Sequence, residues 1–229
     1  MRLVTWNCHH GAFDKRLAEL MSLQPDVAVI QECSPSLGTG IWFPTTSRKG
    51  VGIWTSAQYR MTPVPCHPAV AHSVFPVAVD GPETFHVLAV WAQALPSYVA
   101  AVMAGLDAYS QFVGEAPTVV LGDFNSAPTL NNARAQRAHD SLIERLRTDW
   151  GLVSAYHQRP GGPHGAELPT YYHQFARDAG YHLDYCFIPT DWVPRLSSVT
   201  VAGAEEFTSS DHRPLSVQLS PVSDVASVV

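Results

Sequence analysis

Apolar positions along this chain recur at two periods. Short alternating or unbroken apolar runs predict strands at "RLVTWN" (2–7), "DVAVIQE" (26–32), "GVGIW" (50–54), "FPVAV" (75–79), "FHVLAVW" (85–91), "TVVLGDF" (118–124), "HLDYCFI" (182–188), "SVTVA" (198–202) and "LSVQL" (215–219). Phe13, Leu17, Leu20 and Met21 fall at helical spacing within "FDKRLAELMSL", and further helices are expected over 97–113 and 132–148. The stretches 62–76 and 159–169, rich in proline or glycine, read as loops, and the serine- and valine-rich end as a frayed tail, 221–229. Strands interleaved with a few helices, without repeats, predict sheets packed on each other and covered by helices, in a single domain over 1–220.

Several of these strands end in polar side chains. The first ends in Asn7, the second in Glu32, and "VVLGDFN" in Asp123 and Asn125; Asp184 lies within a strand, and Asp211 and His212 precede the last one. In an extended chain, Asp123 and Asn125 continue the row begun by Val119 and Leu121, which aims a carboxylate and an amide at one spot. The same run is full of turn formers (Gly122, Asp123, Asn125, Ser126, Pro128) and also reads as an ordinary turn.

Composition narrows the setting. With 229 residues, 46% of them hydrophobic and 15% charged, the chain can bury a full core. No run approaches the length of a membrane span, and no export signal is expected at the N-terminus. The cysteines Cys8, Cys33, Cys66 and Cys186 lack paired spacing, so reduced thiols in a cytoplasm are expected, without structural zinc. By alternation Cys8 and Cys33 should turn away from the polar strand ends, toward the core. A net charge of −6 with only two lysines, Lys15 and Lys49, argues against broad gripping of nucleic acid through phosphates. The arginines between Arg134 and Arg147 are interleaved with Asp140 and Glu144 and read as a solvated helix face.

The ordered set WN, QE, GDFN, HLDY and SDHRP, spanning 4–219, resembles the endonuclease/exonuclease/phosphatase superfamily. That resemblance implies an α/β fold of four layers, an αββα sandwich of two mixed β-sheets flanked by helices. It implies phosphoester hydrolysis by in-line attack of water, assisted by Mg²⁺ or Mn²⁺, a chemistry for which hard oxygen ligands are suited. By the same resemblance Glu32 is the primary metal ligand with Asn7 and Asp211 beside it. Asp123 orients or deprotonates the water, Asn125 and His212 hold the phosphate, and Asp184 orients His212. Asp184 suits that task better than Asp211, because chain neighbours in an extended segment face opposite sides.

"PTYYH" (169–173) resembles the family's threonine-plus-aromatic element, and Tyr171 and Tyr172 are candidate substrate contacts or core packing. Two features depart from the family. Where many members carry a histidine or tyrosine that touches the phosphate, this chain runs "LAVWAQ"; the Trp91 indole cannot accept a proton, and Gln93 is the candidate donor in its place. After Asn7 come His9 and His10, which read as turn residues, with His10 also a candidate phosphate contact. Three readings follow: a monomeric phosphodiesterase acting on DNA or RNA, which is favoured; a phosphatase or phosphodiesterase for a small phosphorylated metabolite or lipid head group; and a phosphate-binding module without catalysis.

Overall fold

The computed structural model describes residues 1–35, 40–130, 132–159, 167–176, 178, 180–203 and 205–222. In chain order its elements are β1 (Arg2–Asn7), α1 (Phe13–Leu20), β2 (Val27–Cys33), β3 (Ile41–Pro44), β4 (Gly50–Thr55), β5 (Arg60–Pro63), β6 (Val74–Asp80), β7 (Phe85–Trp91), α2 (Tyr98–Ala108), α3 (Ser110–Glu115), β8 (Thr118–Asp123), α4 (Ala133–Trp150), β9 (Leu152–Ser154), α5 (Ala155–Gln158), β10 (Tyr171–Tyr172), β11 (Gly180–Tyr181), β12 (Asp184–Pro189), β13 (Leu196–Val201) and β14 (Leu215–Leu219). One six-stranded sheet runs β13-β14-β1-β2-β4-β3 and the other β5-β6-β7-β8-β12-β9, with β10-β11 a separate ribbon. Each large sheet is mixed: β1 and β2 are parallel in the first, β7 and β8 in the second.

Side-chain alternation builds the layers. On β1, Leu3 faces the second sheet and joins Val119 and Leu121 of β8 in the core between the sheets. Val4 and Trp6 face the other way and pack with Phe13, Leu17 and Leu20 of α1. On β8, Val120 turns outward to Leu142 and Leu146 of α4 and Val102 and Leu106 of α2. Helix, sheet, sheet, helices: these are the four expected layers.

The differences from expectation are local. The helix expected over 97–113 is broken at Tyr109, where the backbone leaves the helical path and the buried ring places its hydroxyl to accept from His67 N–H at 2.7 Å. The short strands β3, β5 and β9 carry too little periodic pattern to be seen in sequence; β5 and the start of β6 take both ends of the stretch expected as the loop 62–76. Asp184 opens β12 instead of lying inside it. Residues 160–166 of the expected loop and 223–229 of the expected tail lie outside the described residues. Cys8, Cys33 and Cys186 are buried and unpaired, and burial pushes their thiols up, away from nucleophile chemistry. Among the described residues no helix is long and apolar enough to cross a membrane.

Candidate active site

The polar strand ends meet at one end of the sandwich. Asn7 continues the row of Leu3 and Thr5 toward the second sheet, and Asp123 continues the row of Val119 and Leu121 toward the first. Asn7 Nδ2 donates to Asp123 Oδ2 at 2.9 Å and to Glu32 Oε1 at 3.2 Å. One amide nitrogen thus ties carboxylates from both sheets, while Asn7 Oδ1 accepts from His9 N–H at 3.0 Å.

Glu32 gets there through an irregularity. Plain alternation would turn it with Ala28 and Ile30 onto the α1 face, but the β2–β4 register shifts between Gln31 and Cys33 and Glu32 takes φ +61°. The bulge adds one residue, so Cys33 occupies the α1 face instead and the Glu32 carboxylate swings to Asn7. The second Glu32 oxygen, Oε2, receives Lys49 Nζ at 2.5 Å, a contact no sequence motif announced.

Asp123 and Asn125 are not a continued extended row. Strand β8 ends at Asp123 and Asn125 lies in the left-handed region at φ +47°. Asp123 Oδ1 accepts Asn125 N–H at 2.9 Å, a turn closed by the aspartate side chain. Both readings of the run therefore hold, each for part of it: Asp123 follows the strand, and a turn brings Asn125 back over it. Asn125 Nδ2 donates to Asp123 Oδ2 at 3.1 Å and to Ala92 O at 3.2 Å, so its amide hydrogens hold Asp123 in place. Gly122 makes the approach possible: at φ +150°, a Cβ there would lie 1.9 Å from Val90 O.

Asp184 pairs with Asp123 in register across β8–β12 and is fully buried. Its Oδ2 takes His212 Nδ1 at 2.8 Å, leaving Nε2 as the nitrogen for a substrate oxygen. Thr170 Oγ1 accepts from both Leu183 N–H (3.0 Å) and Asp184 N–H (3.1 Å), and Thr170 O accepts from Arg213 N–H at 2.7 Å. Ser210 Oγ donates to Asn7 O at 2.7 Å and accepts from His212 N–H at 3.0 Å, and Trp6 Nε1 donates to His212 O at 3.0 Å. Thr170, Ser210 and Trp6 thus lock the backbone under Asp184 and His212. Nothing but their closeness to named motifs could have signalled this in sequence.

The electrostatics follow from burial. Burial raises the Asp123 carboxyl, to about 7, against lowering by His212 and Asn7; Asp184 adds to the rise. Burial by itself would lower the His212 imidazolium, but Asp184 and Asp123 outweigh it and hold the ring up at about 9. Asp211 Oδ1 lies 3.2 Å from His9 Nδ1 without the alignment of a hydrogen bond.

The remaining candidates line the rim. The Tyr171 ring packs on His212 with centroids 4.7 Å apart, and Arg213 lies over the Tyr172 ring at 4.1 Å. His10 is exposed and its ring lies tilted against that of His9, with centroids 4.4 Å apart. Burial, Lys49 and His9 hold the His10 imidazole below its ordinary range. Gln93 Nε2 turns to Trp91 O at 3.4 Å, and Trp91 itself belongs to the core between the sheets. Beside Asn125 opens a cavity of about 490 Å³, mostly apolar, with Tyr98, Tyr171 and Tyr181 on its walls.

Two places could hold a divalent ion. Asp123, Asp184 and His212 offer ligand atoms within 4.8 Å of one another, with His212 Nδ1 already engaged by Asp184 Oδ2. The Glu32 side fits better. Asp211 Oδ1, expected beside Glu32, is buried without a hydrogen-bond partner among the described residues. Among the described residues, the carboxylates of Glu32, Asp184 and Asp211 have Lys49, His212 and His9 as their ion-pair partners. An oxygen-rich site is what a hard cation uses.

The Endonuclease/Exonuclease/phosphatase family model matches residues 4–212. No curated protein matches the chain. Among solved structures, the endonuclease domain of TRAS1, a telomere-specific non-LTR retrotransposon, superposes with TM-score 0.67 at 16% identity, covering 95% of this chain and 97% of that one. A 3′ phosphatase from Neisseria bound to a product DNA hairpin gives TM-score 0.67 at 20% identity, over 96% and 99%. A conserved protein of unknown function from Enterococcus faecalis gives TM-score 0.67 at 12% identity, over 96% and 100%.

Proposed function

The chain belongs to the Endonuclease/Exonuclease/phosphatase family, whose members hydrolyse phosphoesters with a divalent metal, and from that premise we propose that it is a Mg²⁺- or Mn²⁺-dependent phosphodiesterase acting on DNA or RNA. The observation that carries this reading is the junction at Asn7, which sets the Glu32 and Asp123 carboxylates around one nitrogen with the Asp184–His212 pair alongside. Glu32, with Asp211 and Asn7 beside it, would hold the ion, which would supply charge neutralisation at the phosphoryl group. Asp123, ionised, takes a proton from the attacking water. Its raised pKa makes it a better base than a surface aspartate, and Asn125 and Asn7 hold its oxygens in line. His212 presents Nε2–H to a phosphoryl oxygen, its charge maintained by Asp184.

Nucleic acid is the favoured substrate because the tyrosine-lined cavity abuts Asn125, where a base or sugar attached to the scissile phosphate would fall. The TRAS1 domain and the Neisseria phosphatase are named for work on nucleic acids, which supports the same reading. A small phosphorylated metabolite is the second reading, favoured by the net charge of −6 and the scarcity of lysine. We place the enzyme in a reducing cytoplasm as a monomer, in keeping with its unpaired cysteines.

The test is hydrolysis of plasmid, single-stranded oligonucleotide, bis-p-nitrophenyl phosphate and p-nitrophenyl phosphate with and without Mg²⁺. Cleavage of the polynucleotides or the diester, lost in Asp123→Asn, supports the proposal. Activity on the monoester alone overturns the diesterase reading, and activity on none overturns the enzyme.

A further inference from the structure

Lys49 is one of two lysines in the chain, and the fold takes care to place it. Its carbonyl accepts from Thr45 N–H at 3.0 Å, Thr46 N–H at 2.9 Å and Thr45 Oγ1 at 2.9 Å. Its own N–H donates to Thr46 Oγ1 at 3.0 Å. The next residue, Gly50, pairs with Cys33 immediately past the bulge that turns Glu32 out, and a Cβ at Gly50 would lie 2.1 Å from Phe43 O. A clamped turn and a glycine that nothing larger can replace therefore fix the Lys49 backbone beside Glu32.

The side chain is less confined. The Lys49 side chain is 32% exposed where its ammonium meets Glu32 Oε2, and the other Glu32 oxygen is held by Asn7. An ion that approaches Glu32 Oε2 therefore competes with the ammonium already there. Lysine is a compact point charge with rotatable donors on a flexible stem, so it can turn away from Glu32 while its backbone stays at the site. The anion then most in need of a donor is the phosphate itself.

We infer that Lys49 guards Glu32 in the ion-free protein and, once an ion occupies Glu32, turns its ammonium onto a non-bridging oxygen of the phosphate. It is in effect a built-in positive charge beside that of the ion. This rests on the phosphoester reading above.

Two titrations that need no turnover test it: Mn²⁺ into the ion-free protein, and inorganic phosphate into the Mg²⁺-saturated protein, both followed by calorimetry. Lys49→Met removes the competitor and the contact together. It should bind Mn²⁺ about fivefold tighter, the scale of a half-exposed ion pair, and phosphate roughly tenfold or more weaker, the scale of a charge-assisted hydrogen bond. Lys49→Arg, which keeps the charge and changes its shape, should fall between Lys49→Met and wild type for phosphate. Mn²⁺ affinity that is unchanged or weaker overturns the guarding role; unchanged phosphate affinity overturns the contact. Wild-type protein inactive on every phosphoester would sink the proposed function, while both titrations would still decide on Lys49. Active wild-type protein with titrations unaltered in Lys49→Met would sink Lys49 and leave the function standing.

Discussion

Asn7 and Asp123 lie on different sheets, yet the amide of one donates to the carboxylate of the other at 2.9 Å, and the same nitrogen reaches Glu32. The contact closes the sandwich at the end where the polar strand ends meet and keeps two carboxylates apart with a donor between them. Replacing it with Asn7→Leu leaves both carboxylates without that donor. Diester hydrolysis should fall at least about a hundredfold, as for loss of a preorganised donor, and ion-free stability by about 1–3 kcal/mol. Steady-state rates and urea unfolding of the same variant check both; undiminished activity would remove Asn7 from the site.

Titration gives the second prediction. His212 is held up at about 9 in the fold against an ordinary 6.5, so its contribution to stability is complete below 6.5 and lost as pH rises through 9. Asp123, raised from 3.8 to about 7, acts in the same direction at lower pH, because the fold binds its proton more tightly than the unfolded chain does. The ion-free protein should therefore lose on the order of 3 kcal/mol or more between pH 6 and pH 9.5. Melting curves of wild type and His212→Gln across that range decide it: the loss should flatten in the variant. A wild-type Tm that is level or rising over this window would count against the charged Asp184–His212 pair.

Activity should depend on the same groups. Asp123 must be ionised to accept a proton, so hydrolysis should decline as pH falls through about 7, with a bound cation moving the decline lower. A pH–rate profile at saturating Mg²⁺ and at saturating Mn²⁺ measures it. A profile flat down to pH 5 would mean that Asp123 is not the base.

Gly122 sits where a side chain cannot. Its φ of +150° coincides, on a central strand, with a Val90 carbonyl oxygen only 1.9 Å from where a Cβ would stand. Gly122→Ala should cost about 3 kcal/mol or more, read as a fall in the urea midpoint. A midpoint unchanged from wild type would show that β7 and β8 separate more easily than their packing indicates.

Thr170 supports the site from beneath. Thr170→Val keeps the shape but leaves the Leu183 and Asp184 N–H groups buried without their acceptor. A loss of about 2 kcal/mol is expected, together with weakened hydrolysis as Asp184 loses its anchor. The stability is read by urea unfolding and the rate with bis-p-nitrophenyl phosphate. Retained activity in a destabilised variant would make the threonine a purely structural residue.

What the sequence by itself determined is the order and identity of the polar strand ends and the layer each strand faces. Val119, Leu121 and Asp123 stay on one face because a strand's alternation is a property of its own backbone, and the same holds for Leu3, Thr5 and Asn7. Tertiary structure alone decided the rest. Glu32 reaches Asn7 because pairing with β4 imposes a bulge, and Asn125 reaches Asp123 because the chain must turn left-handed after β8. Lys49 arrives from a hairpin turn far along the chain, and the tyrosine-lined cavity forms where α2, β10 and β11 come together. Each of these depends on where a partner strand or loop lies, which a pattern of neighbours along one chain does not contain.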